Sequence, residues 1–87
     1  MKALLSGKID DRFSLNLQTT DEPTIEDDEV LIKVIACGIN YPDTLIIKDQ
    51  YQIRPKRPFA PGGEVSGIIV NNGKNVIGWH ENDRVIA

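Results

Sequence analysis

The sequence predicts a mainly β domain: a sandwich or partly open barrel of short strands, with at most one or two short helices. Three observations lead there. Phe13, Leu15 and Leu17 alternate with Ser14, Asn16 and Gln18, the period of two expected of a strand with one wet face. Residues 29–36, EVLIKVIA, are rich in β-branched side chains and nearly continuous in apolar character, as in a strand with both faces partly covered. Proline and glycine punctuate the rest so closely that only one brief window suits a helix.

Taken in order, Lys2 to Ser6 reads as a first strand and Gly7 to Asp11 as a turn. The alternating segment from Phe13 is the second strand. Thr19 to Asp28 is a polar, acidic connection containing Pro23, most simply a solvated loop. After the third strand, Asn40-Tyr41-Pro42-Asp43 breaks the chain direction. Pro42 disfavours a helical Tyr41 but suits a first helical turn, so Asp43 to Lys48 is expected to make one or two turns of helix. Residues 49–61 hold Pro55, Pro58 and Pro61 and form a semi-rigid loop. Glu64 to Val70 returns to strand character, Asn71 to Lys74 is a turn signal, and Asp83 to Ala87 is a last strand.

Size and charge limit what these elements can do. A chain of 87 residues fits one domain and buries roughly 64% of its unfolded surface, which leaves a small core with little margin. A net charge of −3 argues against nucleic acid, whose recognition needs a concentrated positive field. Cys37 is the only cysteine, so the chain has no internal disulfide and a reducing compartment is the simpler expectation. The first residues contain no apolar stretch of signal-peptide or membrane-span length. A cytoplasmic protein without membrane contact is therefore expected. The initial Met1 suggests a natural amino terminus, whereas Ala87 falls inside an expected strand, as in an excised domain, a fragment or an early stop.

Each chemical motif carries a plainer reading beside the functional one. Gly62-Gly63-Glu64-Val65-Ser66-Gly67 is glycine-rich, but its G-G-x-x-x-G spacing is not a dinucleotide fingerprint. Special backbone angles or close approach explain those glycines better. Cys37, His80 and scattered carboxylates offer no converging ligand set, so no metal is expected. His80 reads as a surface histidine. Cys37 follows an apolar strand and reads as a packed thiol rather than a nucleophile. No serine sits in a nucleophile signature. Asp43 reads first as a helix cap, and Glu64 as a carboxylate opening a strand. Lys48, Arg54, Lys56 and Arg57 surround Tyr51 in sequence and would suit a phosphorylated cofactor, although such cations on a proline-rich loop are usually solvated.

The segments EVLIKVIACGINYPDTLIIKDQYQ, PFAPGGEVSGIIV and NVIGWHENDRVIA, in that order, resemble the amino-terminal, GroES-like part of the medium-chain dehydrogenase/reductase superfamily. Within it the resemblance is strongest to the zinc-independent NADPH:quinone oxidoreductases, whose G-[VI]-N-[YF]-x-D segment is matched by Gly38 to Asp43. The resemblance implies a substrate-side domain for NADPH-dependent reduction of a quinone or activated alkene such as an enone. It implies Asn40, Tyr41 and Asp43 as catalytic residues, and Tyr51, Gly62, Gly63 and Glu64 along the substrate and cofactor cleft. Zinc-dependent relatives carry a cysteine ligand where this chain has Asn40 and a histidine ligand where it has Gly63, so the resemblance implies a metal-free site. Relatives usually place glycine before D-R-V, where this chain has Asn82; asparagine tolerates positive φ, so the turn is expected to survive.

The resemblance further implies that family members continue into a Rossmann domain, which is not expected within these 87 residues. A doubly wound nucleotide domain needs repeated strand-helix-strand units of about 30 residues or more. The 87 residues are thus expected to form a single, partial module that neither binds NADPH nor reduces substrate alone. Two other readings stay open: a non-enzymatic interaction module that self-associates through open strand edges, and a relative of enoyl-thioester reductases or zinc-free alcohol dehydrogenases.

Overall fold

The computed structural model describes residues 1–9 and 12–87. It is mainly β, with two small sheets and one six-residue helix. Five strands, β1 (Lys2–Ile9), β2 (Arg12–Thr19), β3 (Val30–Cys37), β4 (Val65–Asn72) and β5 (Arg84–Ile86), flank helix α1 (Tyr41–Ile46) between β3 and β4. The described residues form two compact units, each assembled from two stretches of chain: Met1–Asp21 with Ile39–Gly63, and Glu22–Gly38 with Glu64–Ala87.

In the first unit β1 and β2 form an antiparallel hairpin from Lys2↔Thr19 to Ile9↔Arg12. The expected turn at Gly7 to Asp11 is corrected in part. Gly7, Lys8 and Ile9 continue the ladder against Ser14, Phe13 and Arg12, because pairing satisfies backbone groups that a longer turn would leave to water. Asp10 and Asp11 lie outside the described residues. On the other edge of β1, Ser6 exchanges both backbone bonds with Phe59 (2.7 and 3.3 Å). This ties the proline-rich loop to the hairpin.

Arg57 organises this unit, contrary to its expected solvation. Its side chain is only 15% exposed. The guanidinium donates to the hydroxyl of Ser6, which is fully buried, to the Ile47 carbonyl (2.9 Å) and to Asp49 Oδ1 (2.9 Å). It also lies against the rings of Phe13 and Phe59, 4.7 and 5.1 Å from their centroids. A planar, always-charged donor fork matches that set of acceptors and faces; an ammonium does not. Ile47 follows the last helical residue, so the cation also neutralises the negative end of α1.

The second unit is a single antiparallel sheet, β3-β4-β5. Its β3–β4 register slips twice, between Leu31 and Ile32 and between Val34 and Ala36. Val70 and Ile35 are left without a cross-strand partner by the two slips, one on each strand, so the second bulge restores the register that the first displaced. The expectation that β3 is partly covered on both faces is corrected: Ile35 is 66% exposed and Val34 51%. A one-layer sheet has no second element of its own unit to lay over that half of the strand. Ile69, 1% exposed, is the buried apolar centre. Beyond β4 the turn signal starts later than expected, since Asn71 and Asn72 still pair with Leu31 and Val30. Asn82 takes φ 73° before β5, the left-handed turn for which the asparagine was expected to suffice.

Arg57→Lys keeps the charge but loses the fork and the stacking, and is expected to cost about 2–3 kcal/mol in urea unfolding; Arg57→Ala should cost at least as much. A Cβ at Gly67 would collide with the Lys33 backbone carbonyl and with Ile32 Cγ2, at 2.6 Å, neither of which can swing away. Gly67→Ala should therefore destabilise by about 1–3 kcal/mol. Gly63→Ala, whose Cβ would meet nothing within 4 Å, should stay within about 0.5 kcal/mol.

Candidate functional site

The segment after β3 places polar side chains by means of a capped helix start. Asn40 is the N-cap of α1, with extended backbone (φ −127°, ψ 162°), and Tyr41 and Pro42 are the first helical residues. Helix α1 begins two residues before the expected Asp43, because proline is tolerated in a first turn where its missing N–H has no partner to lose. Asp43 is the third helical residue rather than the cap itself. Its Oδ2 accepts the Asn40 N–H (2.8 Å), completing a capping box in which each residue serves the other's backbone. Thr44 adds a hydroxyl bond to the Tyr41 carbonyl (2.6 Å).

The far end of α1 is equally determined. Gln50 N–H reaches the Leu45 carbonyl (2.9 Å) and Asp49 N–H the Ile46 carbonyl (3.2 Å), the paired bonds of a Schellman ending. Asp49 fills the left-handed position at φ 56°, where glycine is usual. Its carboxylate is held by Arg57, which offsets part of the conformational cost of a residue with a Cβ there.

The structure brings Asn40, Tyr41 and Asp43 together at one helix start. Tyr41 is 74% exposed and Asn40 is also exposed. The two side chains supply an amide that both donates and accepts and a phenol that does the same, on a backbone fixed by the capping box. Tyr51 is half-buried in the loop that follows α1. Gly62 adopts φ 133°, a conformation strained for residues with a Cβ, and Gly63 faces open space. Glu64 belongs to the second unit, where its side chain crosses Gly38: a Cβ there would meet Glu64 Oε1, with Cδ at 2.8 Å and Cγ at 2.9 Å. Gly38 N–H also donates to the Glu64 carbonyl (3.2 Å). The absence of a side chain at Gly38 is thus what admits Glu64.

Cys37 is exposed, not packed, because β3 loses its cover before reaching it; its Sγ lies 3.7 Å from the Gly38 carbonyl oxygen. His80 is a surface residue, 3.7 Å from Asp83 Oδ2. The Gly62-Gly63 pair leads into strand β4, not into a helix. Among the described residues no cluster of three or more His, Cys, Asp or Glu is placed to hold a metal ion, and no helix is long and apolar enough to cross a membrane. Sequence reasoning missed the role of Arg57; its position beside Pro58 and Phe59 was the available signal, but its partner Ser6 lies 51 residues away.

A mainly β module of small antiparallel sheets, with one capped turn of helix carrying exposed polar groups, is the architecture of a GroES-like domain. The chain belongs to the alcohol dehydrogenase GroES-like domain family, whose model matches residues 26–87. It is 40% identical over 73 residues to quinone oxidoreductase-like protein 2 of Rattus norvegicus, covering 84% of this chain and 21% of that protein. All of the chain superposes on a probable oxidoreductase of Mycobacterium abscessus, with a TM-score of 0.80, 29% identity and 28% of that chain covered. It also superposes in full on the quinone oxidoreductase of Thermus thermophilus, solved both alone and with NADPH, with a TM-score of 0.75, 31% identity and 25% of that chain covered. The medium-chain oxidoreductase resemblance of the sequence is borne out. The chain spans about a fifth of the length of the curated relatives it matches.

The capping box yields a local prediction. Asp43→Ala removes the acceptor of the Asn40 N–H and should cost about 1 kcal/mol, with hydrogen-exchange protection of the Asn40 amide falling by about fivefold at 25 °C or more. Asp43→Asn, which keeps an acceptor oxygen, should recover part of that protection.

Proposed function

We propose that this chain is the substrate-side module of a zinc-free, NADPH-dependent quinone oxidoreductase. The observation that carries the reading is the pairing of Asn40 and Tyr41, both exposed, at a helix start locked by Asp43. The amide and phenol would hydrogen-bond and stack against a quinone or enone, orienting its oxygen. Tyr51, Gly62 and Gly63, of the same unit as Asn40 and Tyr41, would border the substrate and cofactor cleft. In this reading Asn40 and Gly63 take the positions that hold zinc ligands in metal-dependent relatives, and neither offers a thiolate or imidazole.

The described residues do not suit the dinucleotide itself. A pyrophosphate is bound by a glycine-rich turn opening onto a helix. Here Gly62 and Gly63 open onto β4, and α1 already carries the Asp43 carboxylate in its first turn. The reading therefore assigns nucleotide binding to a Rossmann domain of a longer family architecture, and to these 87 residues the positioning of the acceptor. The lone cysteine favours a cytoplasmic setting.

Two measurements test this. Titration of the 87-residue chain with NADPH should give no saturable signal in the micromolar range; micromolar affinity would contradict the division of labour. In a hybrid where this chain replaces the matching segment of the Thermus thermophilus enzyme, NADPH-dependent quinone reduction is expected. There Asn40→Ala or Tyr41→Ala should lower kcat/KM by about tenfold or more. Hybrids whose variants turn over like the parent would refute the assignment of those residues.

A further inference from the structure

We infer that Asn72 is a self-modifying residue: the Asn72-Gly73 pair deamidates through a cyclic imide when the end of the β3–β4 ladder opens, and the carboxylate it leaves loosens residues 73–83. Asparagine followed by glycine is the pair in which this reaction meets least hindrance, because the residue supplying the attacking nitrogen has no side chain. Gly73 cannot give way to a larger residue, since a Cβ there would meet the backbone carbonyls of Glu26 and Asp27, with the Asp27 carbonyl carbon at 2.5 Å. Asn72 is equally tied to its place. Its Nδ2 donates to the Trp79 carbonyl (2.7 Å), joining the end of β4 to the segment that leads back to β5. The fold thus requires both members of a chemically vulnerable pair.

The reaction needs only water. The Gly73 backbone nitrogen gives up its proton and attacks Asn72 Cγ. The new N–Cγ bond closes a five-membered ring, the Cγ–Nδ2 bond breaks, and Nδ2 leaves as ammonia, taking up a proton in place of the one lost. Water then opens the ring at either carbonyl, leaving aspartate or isoaspartate at position 72.

Three features of the closed ladder oppose this. The Gly73 N–H donates to the Glu29 carbonyl (2.8 Å), so the nucleophile is engaged. Pairing with Val30 holds the Asn72 backbone extended, whereas ring closure turns ψ far from strand values. Asn72 Oδ1, where the charge of the tetrahedral intermediate would develop, is buried without a hydrogen-bond partner among the described residues, the reverse of an oxyanion hole. Opening removes all three together. Reclosing after reaction is then opposed: one carboxylate oxygen would replace Nδ2 against the Trp79 carbonyl, and the other would enter the unpartnered position. Isoaspartate also adds a backbone atom and breaks the register of β4. None of these groups takes part in the chemistry assigned to Asn40 and Tyr41, which lie in the other unit.

Peptide mass spectrometry that separates aspartate from isoaspartate reads the conversion at neutral pH. In native buffer it should run about a hundredfold more slowly at Asn72 than in urea above the unfolding transition, and in urea Asn72 should be the first asparagine of the chain to convert. Glu29 Oε2 accepts the Glu26 N–H (2.9 Å) and so steadies the turn that presents the Glu29 carbonyl to Gly73. Glu29→Ala should speed the native conversion by about threefold or more without changing the rate in urea. Glu29→Gln, which keeps an acceptor oxygen, should stay near the parent rate. Asn72→Asp, standing in for the product, should lower hydrogen-exchange protection of the Gly73 and Asn75 amides by about tenfold or more and leave that of β1 and β2 unchanged. Equal rates in native buffer and urea, earlier conversion of another asparagine in urea, a Glu29→Ala chain no faster than the parent, or an Asn72→Asp chain with parental protection would each overturn the inference.

Discussion

The first unit depends on how the Arg57 guanidinium is satisfied. Burying a cation without partners is costly, and here the partners come from several places in the chain: a hydroxyl from β1, a carbonyl from the end of α1, a carboxylate from the turn after it, and aromatic faces from β2 and the proline-rich loop. None of these elements is long enough to bury much apolar area on its own. The cation substitutes for a larger core by giving each of them a specific place to stop. Its link to Ile47 and Asp49 also sets where α1 ends, so a residue far from Asn40 in sequence constrains the helix whose first turn Asn40 caps.

The second unit follows a different constraint, the crowding of backbone against backbone. At Gly67 the β3 chain passes so close that a Cβ would meet the Lys33 carbonyl, and at Gly73 it would meet the carbonyls of Glu26 and Asp27. The two bulges lie on either side of the Ile32–Val34 stretch that faces Gly67, so the close approach is confined to the segment between them. Ile69, the buried residue of this sheet, sits opposite Ile32 at the edge of that segment. The same logic holds at Gly38, where the missing side chain is replaced by the carboxylate arm of Glu64.

Local signals in the sequence were legible to the extent that their physics is local. The alternation in Phe13 to Gln18, the β-branched run of β3 and the proline-tolerant start of α1 all act within a few residues, and each formed the element expected. Asn82 adopts the positive φ anticipated from its short polar side chain. Two kinds of feature escaped. Arg57 owes its role to Ser6 and Phe13, which are distant in the chain, and among the four cations only its place beside Pro58 and Phe59 sets it apart locally. Exposure escaped as well: the apolar runs of β2 and β3 predict strands correctly but not what covers them, and Ile35, Cys37 and Leu17 remain open to solvent. At the candidate site the identity of Asn40, Tyr41 and Asp43 was readable from the motif, whereas the exchange of roles between Asn40 and Asp43 at the cap required the coordinates.

That exchange bears on how a site can be both polar and rigid in so short a chain. A six-residue helix has little intrinsic stability, since nucleation is unfavourable and few bonds are propagated. Here nearly every group at its ends is spoken for. Asp43 takes the Asn40 N–H at the start, the Schellman bonds close the finish, and Arg57 holds the Ile47 carbonyl beyond it. The side chains of Asn40 and Tyr41 therefore project from a backbone with few alternatives, whose ordering entropy is met during folding. A carboxylate at position 43 serves this arrangement better than an asparagine because it accepts the bond while also standing favourably at the positive end of the helix. Asp43 thus has a sufficient structural reason to stand in the motif, beside the exposed side chains of Asn40 and Tyr41.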